Sequence, residues 1–199
     1  MPLLQNIWND VNLIQVLQND GVVVMPTDTI YGMVGKALKE AVINRIYAIR
    51  KRNPNKPCII LIGKISELEK FSVILSREQK IKLEKLWPIS AIADIGHPKA
   101  TSIILDCLDE KFAYLHRGTK TLAFRLPASQ ELRDLLLKVG PLIAPSANLE
   151  ARPPSETILE AKKYFNNSVD LYIDGGTITS KASKVIKLHK DGSTTILRE

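Results

Sequence analysis

Short apolar runs alternate with segments of helical period along most of this chain. That alternation restricts it to an α/β architecture around a mixed sheet. Asn9 or Asp10 is placed to cap a helix with Val11, Ile14 and Leu17 on one face, stopped at Gly21. Residues 22–25 are a β-branched run closed by Pro26, and a helix follows over 40–50 with Val42, Ile43, Ile46 and Ile49 on one side. The continuous apolar run 58–62 reads as a strand buried on both faces. Ser76 with Gln79 forms a capping box that opens a helix to about Trp87. Residues 101–106 and 121–126 read as strands, and Ser129 caps a helix that stops at Gly140. A short strand over 142–144 comes next, then a helix opened by Ser155 and running to about Phe165. Three further strands follow at 171–174, 183–189 and 194–198, the last two joined as a hairpin across Asp191-Gly192. No linker or repeat interrupts the pattern, so the expectation is one domain over 1–199, with its core over about 10–199.

Charge narrows the partners. Lys and Arg outnumber Asp and Glu by 28 to 21, a formal net charge of +7, which favours anionic partners: nucleic acid or phosphate-bearing small molecules. Cys58 and Cys107 lie far apart with no C-x-x-C spacing, which excludes a disulfide scaffold and a cysteine-rich zinc site. His97, His116 and His189 show no metal spacing, and no metal ligands are assigned. No apolar stretch approaches the length of a membrane span, and no leader pattern opens the chain, so a cytoplasmic location without a membrane partner is the expectation.

Four segments are placed to carry chemistry. Pro26-Thr27-Asp28-Thr29-Ile30-Tyr31-Gly32 follows a buried strand, where open α/β sheets tend to bind ligands. Its other reading is a turn in which Asp28 and Thr29 hydrogen-bond their own backbone. Arg50-Lys51-Arg52-Asn53-Pro54-Asn55-Lys56-Pro57 sets four cations in a proline-stiffened loop, which suits a polyphosphate, although cations also belong at a helix C-terminus. Ala144-Pro145-Ser146-Ala147-Asn148 offers small residues and uncharged hydrogen-bonding groups at a strand end, or an ordinary turn. Arg125 stands inside an apolar strand, facing either solvent by alternation or an anion. P-loop, dinucleotide and nucleophile-elbow signatures are missing.

In order, Pro-Thr-Asp-Thr-Ile-Tyr-Gly, the basic loop through Arg52, Leu86-Trp87-Pro88, residues 121–127, Pro145-Ser146-Ala147-Asn148 and Asp174-Gly175-Gly176 resemble the YrdC/TsaC family of L-threonylcarbamoyladenylate synthases, in its short form, from about Gly21 onward. The resemblance implies a twisted open mixed sheet with flanking helices and a large basic concave cavity. It implies a nucleotidyltransferase that joins L-threonine, bicarbonate and ATP, with Mg2+ accompanying ATP, and releases pyrophosphate. The threonylcarbamoyl group is then passed by downstream tRNA-modifying proteins to adenosine 37 of tRNA. By similarity, Thr29, Arg125, Ser146 and Ser183 are the threonine contacts. Arg50, Arg52, Lys56, Thr121, Asn148 and Arg198 are the ATP contacts, with Ser146 and Asn148 at the junction of the two substrates. Because such chemistry is mostly positioning and charge neutralisation, no general acid or base is assigned.

Arg50, Asn53 and Lys184 depart from the family pattern, and residues 89–97 read as an insertion after Trp87-Pro88 that leaves Ser102 where the family has Thr. The rivals are a YciO-like paralogue and a double-stranded RNA or tRNA binding module of the same fold without synthase activity. A carbamoyl-transfer domain of the HypF type belongs inside a much longer chain. Thr29-Ile30-Tyr31-Gly32 sides with the synthases rather than with YciO.

Overall fold

A computed structural model describes residues 7–87 and 100–199, so the apparent insertion at 89–97 lies outside the described residues. Among the described residues, nine strands form one mixed sheet. They are β1 (Val23–Pro26), β2 (Tyr31–Lys36), β3 (Ile59–Leu61), β4 (Thr101–Asp106), β5 (Thr121–Arg125), β6 (Leu142–Ile143), β7 (Leu171–Tyr172), β8 (Lys184–Leu188) and β9 (Thr194–Arg198), in the spatial order β7-β1-β2-β6-β3-β5-β4-β8-β9. The parallel pairs are β1 with β7, β3 with β5 and β4 with β8; the others run antiparallel. Six α-helices among the described residues flank them: α1 (Val11–Gln18), α2 (Glu40–Arg50), α3 (Arg77–Leu86), α4 (Ala113–His116), α5 (Gln130–Val139) and α6 (Ile158–Phe165).

Side chains alternate across a strand, and the sheet uses this to separate two apolar layers. On one face Val22, Val24, Met33, Ile60, Ile103, Leu105 and Phe124 pack with Val42, Ile43 and Ile46 of α2, Leu83 of α3 and Phe165 of α6. On the other, Val23, Met25, Val34, Leu61 and Leu142 meet Leu13 and Leu17 of α1 and Leu132, Leu135 and Leu136 of α5. Those two helices cover only part of the second face. Over β3, β5, β4 and β8 the same face shows Ile59, Ala123, Ile104 and Val185 to a cavity instead. Register brings Ile59, Ala123 and Ile104 into one row, so the cavity has an apolar floor.

Three of the four capping signals hold. Asp10 accepts from Leu13 N at 2.8 Å, Ser129 Oγ from Leu132 N at 3.2 Å, and Ser76 and Gln79 exchange both bonds of the capping box. The Asp191-Gly192 hairpin also forms, with Gly192 at φ +81°.

Three expectations are corrected. Helix α1 buries Leu13 and Leu17 and leaves Val11 77% exposed, because it lies on α5 and β1 along a stripe one residue round from the one that Val11 and Ile14 suggest. The cap of α6 is Thr157, not Ser155; the Ser155 hydroxyl donates to Ala147 O at 2.6 Å and braces the turn after β6. Strand β2, not read from the sequence, pairs antiparallel with β1 and makes the first motif a hairpin turn. Its glycines mask it. Gly35 leaves room for α2, since a Cβ there would stand 2.4 Å from Val42 Cγ1.

Candidate functional site

The β1–β2 turn is built by its own hydroxyls. Thr27 donates its backbone N–H and its Oγ1 to Ile30 O at 3.1 and 2.7 Å, and Thr29 N donates to Thr27 Oγ1 at 3.3 Å. The turn reading of this motif therefore holds, but Thr27 rather than Asp28 closes it. Asp28 instead turns to β5, where its Oδ1 stands 2.9 Å from Arg125 Nη2, both side chains nearly buried. Arg125 Nη2 also donates to Thr27 Oγ1 at 3.4 Å. Alternation puts Thr121, Ala123 and Arg125 of β5 on the cavity side, so Arg125 meets both the floor of the cavity and a buried counter-charge.

Tyr31, the next element of the same motif, reaches across the sheet edge. Its hydroxyl accepts from Gly175 N at 2.9 Å and donates to Gly176 O at 2.8 Å, which holds the Asp174-Gly175-Gly176 segment against β1. Burial raises the phenol above its ordinary range, so it stays protonated as a donor. A Cβ at Gly175 would stand 2.2 Å from Pro26 Cγ, so this contact requires glycine. The segment continues to Ser180, whose hydroxyl donates to Thr29 O, and to Ala182 and Ser183 on the cavity wall.

The basic loop leaves α2 through Lys51 in the left-handed conformation, φ +50°. Arg52 then folds back. Its Nε donates to Lys56 O at 3.1 Å and its Nη2 to Pro57 O at 2.9 Å, with the guanidinium 5.7 Å from the Tyr47 ring centre. The Tyr47 hydroxyl donates to Lys56 O at 2.8 Å; burial first, then Cys58, pushes this phenol up to about 12. The loop is thereby fixed, with Arg52 and Lys56 at the edge of the cavity.

Arg50 points the other way. It is 1% exposed, and its Nε donates to Asn148 O and its Nη2 to Asn148 Oδ1, each at 3.0 Å. Nη2 also lies 3.4 Å from Ser146 Oγ, which donates to Asn148 Oδ1 at 2.6 Å. Burial, reinforced by the charge of Arg52, lowers the Arg50 guanidinium to about 10, still cationic at neutral pH.

Eight of the ten residues singled out by resemblance line one cavity of about 370 Å3: Thr29, Arg52, Lys56, Thr121, Arg125, Ser146, Ser183 and Arg198. The other two, Arg50 and Asn148, stand behind Ser146: Arg50 Nε and Nη2 donate to Asn148, and Asn148 Oδ1 accepts from Ser146 Oγ, which orients it. At the far wall, Arg198 donates its Nε and Nη2 to Ser183 O at 3.0 and 2.6 Å, and Ser183 Oγ lies 2.8 Å from Ser102 Oγ. The late arginine and the late serine thus form one unit. Burial, then the charge of Arg125, holds the Arg198 guanidinium below its ordinary range.

Sequence reasoning missed Thr119, Cys58 and Glu150. Thr119 lines the cavity two residues before Thr121, and their hydroxyls are 3.2 Å apart. Cys58 lines it where the apolar run begins. Glu150 approaches both Arg52 and Lys56. Thr119 lies two residues before Thr121 and Glu150 two residues after Asn148, and this closeness to a singled-out residue is the signal that the sequence offers.

A family model described as Telomere recombination, covering the Sua5, YciO and YrdC proteins, matches residues 15–199. The chain belongs to the Sua5/YciO/YrdC family. Among its curated relatives, the threonylcarbamoyl-AMP synthase of Hahella chejuensis is 26% identical over 194 residues, covering 96% of this chain and 98% of its own. Among solved structures, Pyrococcus abyssi Sua5 in complex with L-threonine superposes with a TM-score of 0.76 at 24% identity. That match covers 96% of this chain, which spans about half (53%) of the Sua5 chain. E. coli YciO superposes at 0.75 with 23% identity, over 100% of this chain and 91% of its own. These likenesses to solved structures establish the Sua5/YciO fold. Among the described residues, no helix of this family member is long and apolar enough to cross a membrane.

Proposed function

We propose that this chain makes L-threonylcarbamoyladenylate from L-threonine, bicarbonate and ATP, releasing pyrophosphate. The observation that carries the reading is the composition of one cavity wall. Four cations, Arg52, Lys56, Arg125 and Arg198, and the hydroxyls of Thr29, Thr121, Ser146 and Ser183 converge above an apolar floor. The name borne by the Hahella relative supports it, as does the threonine complex of the Sua5 structure.

The chemistry suits that wall. Threonine's amine and bicarbonate give a carbamate and water, and a carbamate oxygen brought in line with the α-phosphorus of ATP displaces pyrophosphate: the new O–P bond forms as the bond to the β-phosphate oxygen breaks. The threonine carboxylate takes no part in that bond and stays free to pair with a cation. Bringing two anions together is the main barrier, and fixed cations lower it without proton transfer. In this reading Arg52 and Lys56 neutralise the phosphates. Arg125, held in place by Asp28, pairs with the threonine carboxylate. Thr29, Ser146 and Ser183 orient the amino acid and the junction, with Arg50 and Asn148 bracing Ser146. Thr121 and Arg198 lie on the nucleotide side. The described lining residues include no carboxylate, and the described residues hold no group of three His, Cys, Asp or Glu side chains able to bind an ion. A resident Mg2+ does not fit this wall, and Mg2+ enters only as the ion that accompanies ATP. The product then serves tRNA-modifying proteins in the cytoplasm, which place the group on adenosine 37.

The test is pyrophosphate release from ATP and bicarbonate, comparing L-threonine, L-serine and no amino acid. Release dependent on threonine supports the synthase. No threonine-dependent release from folded protein that binds ATP would favour a YciO-like paralogue; steeply salt-dependent RNA binding without adenylate formation would favour an RNA-binding module.

A further inference from the structure

Building on the ATP reading of the cavity, we propose that Glu150 is an intramolecular competitor for the phosphates, a counter-ion that sits on the phosphate cations and must swing away as a polyphosphate enters. Its Oε2 lies 3.7 Å from Arg52 Nη1 and its Oε1 lies 3.6 Å from Lys56 Nζ. The Arg52 corner is informative. Nε and Nη2 are spent on the carbonyls of Lys56 and Pro57, so Nη1 is the nitrogen left to face an anion, and Glu150 faces it. At these distances the contacts are charge pairs without the reach of a short hydrogen bond, and they are partly exposed, so they are weak and exchangeable.

The main chain that carries Glu150 is fixed, which confines the motion to the side chain. Glu150 N donates to Arg50 O at 3.0 Å, and Asn148 Nδ2 donates to Leu149 O and Arg152 O at 2.8 and 2.6 Å. Ala151 then turns at φ +64°. The Glu150 side chain itself is 31% exposed and rotates outward without breaking any hydrogen bond recorded among the described residues. A triphosphate presents several charges to the same two cations and displaces it. An uncharged nucleoside gains nothing from its departure.

The test compares the full chain with Glu150→Gln, and with Glu150→Ala as the second variant, by titration calorimetry with ATP, inorganic tripolyphosphate and adenosine. Both variants are expected to bind ATP and tripolyphosphate about two- to fivefold more tightly than the parent at low ionic strength. Adenosine affinity is expected to stay the same, and the gain to shrink in about 0.5 M NaCl. Equal or weaker polyphosphate binding by the variants, beside an ATP-binding parent, overturns this proposal alone. Failure of parent and variants alike to bind ATP overturns the ATP reading and this proposal with it.

Discussion

Asp28 and Arg125 show how a single pair sets the chemistry of this cavity. A guanidinium on the cavity floor is costly to bury, and the carboxylate 2.9 Å away offsets that cost while fixing its position. Replacing Asp28 by Asn strands the charge. The expected loss is about 3 kcal/mol of folding stability, read from urea midpoints; a loss below about 0.5 kcal/mol would show the pair to be idle. Arg52 is bound instead to backbone carbonyls, with one nitrogen facing outward, so Arg52→Ala removes both a phosphate contact and a brace of its loop. Its apparent KM for ATP is expected to rise tenfold or more, about 1.4 kcal/mol of binding. Unchanged ATP kinetics in folded protein would remove Arg52 from the site. These residues were legible as types in the sequence, but their partners were not. Asp28 finds Arg125 only because β5 lies near the β1–β2 turn, a contact across 97 residues that no local pattern encodes.

Elements explain which residues reach the cavity and which stop short of it. Arg50 is the last residue of α2 and lies on its buried side; Arg52, past the left-handed Lys51, lies on the cavity side. A two-residue step around a helix end therefore separates a brace from a phosphate contact, and spacing alone does not reveal it. The packing of α2 on β2 depends on Gly35. Gly35→Ala is expected to cost about 1–3 kcal/mol through overpacking against Val42, measured by thermal or denaturant unfolding; a neutral result would mean that α2 shifts freely. At the sheet edge, Asp170 accepts from Val22 N at 2.8 Å and pairs with Arg45. The Arg45 hydrogen bond holds this carboxyl below its ordinary range. A depressed carboxyl stabilises the fold above its unfolded pKa and loses that contribution as pH falls through the folded one. Below about pH 4, then, the parent should lose stability more steeply than Asp170→Asn, which has no charge to titrate. Parallel acid profiles would contradict this.

At the scale of the molecule, the site follows from incomplete coverage of one sheet face. α1 and α5 cover β1, β2 and β6 on that face, and the floor over β3, β5, β4 and β8 stays open. The alternating elements, the caps of α1, α3 and α5 and the terminal hairpin were readable because each depends on local chemistry. Strand β2 was not, because its glycines serve a neighbouring helix rather than its own propensity, and Glu150 was not, because its partners come from another loop. The position of the cavity follows from strand order, which the sequence does not state.

If one cavity wall joins three substrates, the carbon that enters as bicarbonate must end up in the nucleotide product. Isotope-labelled bicarbonate, L-threonine and ATP would be incubated with the protein and the nucleotide products resolved by mass spectrometry. The expected product contains AMP, threonine and the labelled carbon together, and appears only when all three substrates are present. A threonine adenylate without the label, or no threonine-containing nucleotide from protein that binds ATP, would contradict the account.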